Sequence, residues 1–209
     1  MLQAQRIHHE IVPSATALLL NDVTRAFVDP GGALEIPAAR DILAGLADLA
    51  RACRVAGSLV VYVGYVQTAV NRAEMGKFWP SLLDGALDKG AVGSEVTEVL
   101  KPATQDWVIE KKTYSAFLGT DLEARLTARG VDTIIVGGVS TNHACYTAAR
   151  DAQCRGFRVI FLSDGTATFD LSDVGFGSFD ADLLQRAFLT TVAFGCGEVV
   201  AIRDVIATL

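Results

Sequence analysis

"DTIIVGGVSTNHACYTAARDA", residues 132–152, is the stretch whose reading decides the fold. Its opening, "DTIIVGG" (132–138), is a run of β-branched residues that reads as a strand buried on both faces. Residues 142–155 read as the helix that follows, so a Gly-rich turn is all that separates the two. A strand that passes through a short turn into a helix is the repeating step of a parallel α/β sheet. Cys145 stands where that turn becomes the first helical turn.

The same step recurs on both sides. "TALLLND" (16–22), "SLVVYVG" (58–64), "DWVIEK" (106–111), "FRVIFLSDG" (157–165) and "EVVAI" (198–202) read as further strands. Pro37 opens a helix with Ile42, Leu43, Leu46, Leu49 and Ala50 on one face, ending near Gly57. "GTDLEARLTARG" (119–130) reads as a helix with Thr120 and Glu123 spaced as a capping box and Gly130 as its stop. "FDADLLQRAFLTT" (179–191) reads as another helix. The pattern predicts a three-layer α/β/α fold, Rossmann-like, with a mostly parallel central sheet of about six strands. No repeat, low-complexity segment or linker interrupts it, so residues 1–209 are expected to form one domain with 1–13 as an N-terminal extension. Residues 65 to about 105 are the least regular part and are expected to enclose a substrate.

Composition narrows the function. The 209 residues are 51% hydrophobic and 20% charged, which is globular composition. A net charge of −6 argues against nucleic-acid binding, which needs a basic face. The apolar runs are too short to cross a membrane, and Met1 to Pro13 is polar, so no secretory leader is expected. Cys53, Cys145, Cys154 and Cys196 show no close pairing and are expected to be free thiols in a reducing, cytoplasmic compartment. A mean hydropathy of +0.35 leaves room for an apolar subunit interface, and a homo-oligomer, dimer or tetramer, is expected.

In open parallel sheets ligands sit beyond the carboxyl ends of the strands. The residues expected there include Asp22, Lys111 and Cys145: a carboxylate, an ammonium and a thiol. A thiol attacks as its thiolate, which a helix N-terminus and a nearby Lys favour. Asp22 could take the thiol proton and return it to a leaving amine, and backbone N–H groups of the turn could hold an oxyanion. Together these suit acyl transfer from an amide, carbamoyl or ester carbonyl to sulfur, then hydrolysis.

Each piece alone also has an ordinary explanation. Buried Cys residues usually only pack, the reading taken for Cys53, Cys154 and Cys196. Adjacent lysines are usually solvated, and Asp164 reads as a turn residue at a strand end. His143 invites pairing with the thiol, but residues two apart on a helix diverge, at about 100° per residue. It is therefore read as a bystander. Cys154 lies roughly 13 Å along the helix from Cys145, too far to be its resolving partner in a redox reaction.

Taken together, the set resembles the isochorismatase-like cysteine hydrolases, which include nicotinamidases, carbamoylsarcosine amidohydrolases and isochorismatases. Three motifs carry the resemblance. "LLLNDVTRAFVDPGG" supplies Asp22, Phe27 and Val28-Asp29; "EKKTYSAFLGTDLEARL" places Ser115-Ala116-Phe117 so that the register selects Lys111 over Lys112; and 138–152 matches the nucleophile turn and its helix. The likeness covers essentially Ala17 to the C-terminus.

The resemblance implies Cys145 as nucleophile, Asp22 as general base and acid, and Lys111 as the positive group steadying both. It implies an oxyanion hole from the N–H groups of Thr141 and Cys145, and a cis peptide near Val139-Ser140. Phe27, Trp79, Tyr114 and Ser140 are expected at the substrate. Departures bear on the substrate. The Asp and two His that hold a metal in family nicotinamidases have no counterpart after "VVYVGYVQ", so neither metal nor cofactor is expected. Thr24 stands where the family has Gln. The turn "GVSTNHAC" is one residue longer than in typical amidohydrolases, matching isochorismatases, whereas the Trp-Arg of that branch is Lys112-Thr113 here.

The expected activity is thus a cysteine hydrolase cleaving a C–N bond of a small amide or carbamoyl substrate. Alternatives are isochorismatase-type vinyl-ether hydrolysis with Asp22 as acid, and a catalytically idle interaction module.

Overall fold

A computed structural model describes residues 8–209. Residues 1–7 of the expected N-terminal extension lie outside the described residues. Six strands, β1 (Thr16–Asn21), β2 (Leu59–Tyr65), β3 (Trp107–Lys111), β4 (Thr133–Val139), β5 (Arg158–Ala167) and β6 (Glu198–Val200), form one sheet in the order β3-β2-β1-β4-β5-β6. Every pairing is parallel. The chain starts in the middle, winds to one edge, then returns to β4 and winds to the other, which leaves a crevice between the carboxyl ends of β1 and β4.

Helices cover both faces because the strands present an apolar side chain to each. Ala17 and Leu19 of β1 join a core that includes residues of α4 (Leu122–Ala128), α5 (Tyr146–Cys154) and α6 (Ala181–Gly195). Leu18 and Leu20 point the other way, into a core with α1 (Arg25–Val28), α2 (Ala39–Ala56) and α7 (Ile202–Thr208). The α2 stripe of Ile42, Leu43, Leu46, Leu49, Ala50 and Cys53 is buried as the periodicity requires. Gly57, left-handed at φ 89°, ends the helix.

Several expectations shift. The helix expected over 119–130 is shorter, and its capping box does not form. Asp121 occupies the N-cap without a side-chain bond, while the Thr120 hydroxyl donates to Ala116 O at 2.7 Å. That hydroxyl donates into the preceding Ser-Ala-Phe turn and accepts only a long, 3.4 Å bond from the Leu122 N–H. The last strand stops at Val200, and α7 follows, its first N–H, from Ile202, donating to Asp164 Oδ1 at 2.7 Å. Asp164 thereby has a structural partner away from the cavity. Residues 65–105 hold α3 (Ala69–Met75), capped by Thr68, and short 3-10 turns.

Two features shape the crevice. Gly138 has φ 106°, and a side chain there would meet Asn21 O at 2.1 Å, so β1 and β4 close to a distance only glycine permits. The β4–β5 register slips between Val136 and Gly138, and beyond the slip β5 runs on to Ala167, carrying Phe169 toward the cavity.

Candidate active site

Asp22 directly follows β1 and adopts the left-handed conformation, φ 49°, which Asp tolerates better than most residues. Its N–H donates to Val63 O at 2.9 Å, and its Oδ1 accepts the Tyr65 N–H at 2.8 Å. These bonds turn the carboxylate across the end of β2. Lys111 is the last residue of β3, two strands away, a gap of roughly 10 Å between strand axes. Its four-carbon stem reaches over β2 to place Nζ 2.7 Å from Asp22 Oδ2. Nζ also donates to Tyr114 O at 3.2 Å. Both side chains are buried, whereas Lys112 is half-buried and bonds Val66 O.

Burial pushes the Asp22 carboxyl above its ordinary range, and the Lys111 ammonium and the Tyr65 N–H pull it back. A carboxylate so placed accepts a proton more readily than a solvated one and stays close to a fixed positive charge.

Cys145 ends a π turn, Thr141–Cys145, that leads into α5. The peptide Val139-Ser140 before it is cis. The thiol is fully buried, and its S–H donates to Gly137 O at 3.7 Å. A helix N-terminus and Lys111 were expected to lower this thiol. Instead burial dominates and pushes it up, Asp22 adds to the rise, and Lys111 only partly offsets them. Cys145 is held as a neutral thiol in this state.

Of the expected oxyanion pair of Thr141 and Cys145 N–H groups, that of Cys145 is engaged within the turn. The longer turn closes on itself: Cys145 N–H donates to Ser140 O at 3.1 Å, as does His143 N–H at 3.2 Å. Thr141 does not line the cavity, and its hydroxyl donates to Gln185 Oε1 on α6 at 2.6 Å.

Asp22, Lys111 and Ala144 form part of the wall of a cavity of about 260 Å³; Cys145, next in the chain to Ala144, is buried in the core and is not among the residues that line it. Phe27, Trp79, Tyr114 and Ser140 all line this cavity. Trp79 Nε1 donates to Tyr114 OH at 2.9 Å. Of the irregular segment, Met75, Trp79, Ser81 and Leu82 contribute. Thr24 lines a separate cavity of about 110 Å³.

His143, read from sequence as a bystander, is part of the cavity wall. Its ring stacks on Phe169 at 5.7 Å and 8° and packs near Trp79 and Tyr114. Its Nδ1 lies 3.1 Å from Ser140 Oγ. Burial lowers its pKa, which favours the neutral ring. Phe169 and Tyr65 were missed from sequence, since neither belongs to a motif and only the strand ends bring them in. Among the described residues, no three His, Cys, Asp or Glu side chains group as metal ligands.

A family model, the isochorismatase domain, matches residues 16–193. The chain belongs to the isochorismatase family. A crystallised cysteine hydrolase of this fold from Pseudomonas syringae pv. phaseolicola 1448A superposes with a TM-score of 0.95 at 36% identity, covering 99% of this chain and 98% of that one. The maleamate amidohydrolase of Pseudomonas putida is 34% identical over 155 residues, covering 71% of this chain and 70% of that protein. Nicotinamidase 3 of Arabidopsis thaliana is 41% identical over 118 residues, 52% of this chain and 58% of its own length. That match therefore spans little over half of that relative. The six-stranded parallel sheet with helices on both faces is the family's fold.

Proposed function

We propose that this isochorismatase-family protein is a cysteine hydrolase that cleaves a C–N bond of a small amide or carbamoyl substrate. The observation that carries the reading is the buried 2.7 Å pair of Lys111 and Asp22 in the cavity wall, with the buried Cys145 thiol near enough to feel both charges. In this reading the Cys145 S–H leaves Gly137 O and passes its proton to Asp22 as sulfur attacks the carbonyl carbon. Asp22, its carboxyl raised by burial, then protonates the leaving nitrogen, and ammonia or an amine departs from a thioester. Water, deprotonated by Asp22, releases the acid and restores the thiol. Lys111 holds Asp22 in place through the 2.7 Å contact. The developing oxyanion would take the Cys145 N–H from Ser140 O, a local exchange within the turn.

That turn also supports a second reading. An N–H committed to Ser140 O suits a reaction without a tetrahedral oxyanion, such as vinyl-ether hydrolysis with Asp22 as acid. Ammonia release from a panel of small amides and carbamoyl compounds separates the two. The thiol reading expects release that Cys145→Ala abolishes. Ammonia release surviving in Cys145→Ala overturns it, and isochorismate turnover lost in Asp22→Asn but kept in Cys145→Ala favours the second.

The proposal extends to one catalytic domain, in a cytoplasmic homo-oligomer. The single continuous sheet supports the first part. Val174 and Phe176, 84% and 87% exposed, support an apolar subunit contact. No helix among the described residues is long and apolar enough to cross a membrane.

A further inference from the structure

Resting on that proposed chemistry, we infer that the cavity selects uncharged amides with a flat, unsaturated body and rejects amides that carry a carboxylate. The charge of the cavity wall is the argument. Among the described residues that line it, Lys111 is the only cation, against two acids, Asp22 and Glu35. The Lys111 ammonium is already held by Asp22 Oδ2 and Tyr114 O. Glu35 is likewise satisfied, by the Arg40 side chain and by the Gly31 N–H at 2.9 Å. His143, the one side chain able to become positive, is kept neutral by burial. A substrate carboxylate entering here would lose its water and gain no counter-charge, a heavy penalty in a low-dielectric site.

The rest of the wall is suited to a ring. Phe27, Tyr65, Trp79, Tyr114, His143 and Phe169 present aromatic surface. Trp79 meets Phe169 and His143 edge-on, at interplanar angles of 77° and 73°, while His143 and Phe169 lie nearly parallel. Such faces favour a planar guest through offset and edge contacts. A cavity of about 260 Å³ has room for a molecule of about one ring rather than an extended chain.

The test uses two amides of one shape, 3-acetylbenzamide and 3-carbamoylbenzoate, which differ in a neutral acetyl against a carboxylate. Ammonia release by the intact protein at pH 8 is expected to favour the neutral amide at least tenfold in kcat/KM. Binding is read separately on Cys145→Ala by quenching of Trp79 fluorescence, with Trp79→Phe as the control for Trp107. There the neutral amide is expected to bind at least tenfold tighter. Met75→Arg, which adds a cation to the cavity wall, is expected to raise affinity for 3-carbamoylbenzoate and narrow the gap. Equal or tighter binding of the carboxylate overturns the selectivity, whatever the turnover. Absent ammonia release with the binding preference intact overturns the proposed chemistry and leaves the selectivity standing.

Discussion

The Thr141 hydroxyl and the Gln185 side chain share a 2.6 Å hydrogen bond that ties the turn before Cys145 to α6. Gln185 Nε2 in turn donates to Thr166 O and Oγ1, each at 3.1 Å. One amide thus links the turn before Cys145, β5 and α6. Gln185→Leu leaves the buried Thr141 hydroxyl without its acceptor, at a cost of about 1–3 kcal/mol. The expected outcome is a lowered urea midpoint together with a fall in kcat that exceeds any rise in KM. An unchanged kcat would show that the turn holds its shape without α6.

Lys111 and Asp22 are each other's main partner in a buried site. Lys111→Met strands a buried carboxylate, a change of about 3–5 kcal/mol. Since the ammonium is what pulls the Asp22 carboxyl down, its removal raises that group further. Asp22 then takes up a proton at higher pH. Lys111→Met with Asp22→Leu is expected to recover much of the stability and none of the amidase activity. Denaturation of the two single variants and the double variant checks this.

Cys154 is exposed and Cys145 is fully buried with its thiol pushed up. Iodoacetamide at pH 7 is therefore expected to label Cys154 first, without loss of activity. Inactivation should follow the slower labelling of Cys145 and quicken as the pH rises. Peptide mass spectrometry across a time course reads both, and activity lost in step with Cys154 would contradict the assignment.

Burial pushes the Cys53 thiol, on α2, up to about 12. The unfolded thiol titrates near about 8.5. A folded-state value raised above the unfolded one gives stability that is complete below the lower value and lost as pH climbs toward the higher. Cys53 therefore weakens the fold between about pH 8.5 and 12, by up to about 1.4 kcal/mol per pH unit. Cys53→Ala is expected to flatten the fall in stability between pH 9 and 10.5, measured by urea titration at each pH.

Much of this was legible in the sequence because it is local. The runs at 16–22, 58–64 and 132–138 announce strands by composition, and Asp22, Lys111 and Cys145 fall at strand ends by simple counting. What was not legible depends on distant parts of the chain. The π turn forms because residues 139–145 must fit between β4 and α5, and no residue type signals that accommodation. The rise in the Cys145 thiol comes from burial, which a helix-terminus argument leaves out. His143 became a cavity wall because Phe169 arrives from the far side of the β4–β5 register slip. The Thr120 capping box failed because the helix starts one residue later, with Asp121 at the N-cap, which moves Glu123 out of the N3 position.

The strand order has a consequence for how the protein is made. Asp22 leaves the ribosome early, Lys111 much later, and the two meet only when β2 is seated between β1 and β3. Cys145 follows on the turn after β4, and Gln185 later still. A chain cut short before β4 lacks the Cys145 thiol, and one cut short before α6 lacks the Gln185 acceptor of the Thr141 hydroxyl. The groups of the proposed chemistry therefore come together only when the winding of the sheet is complete.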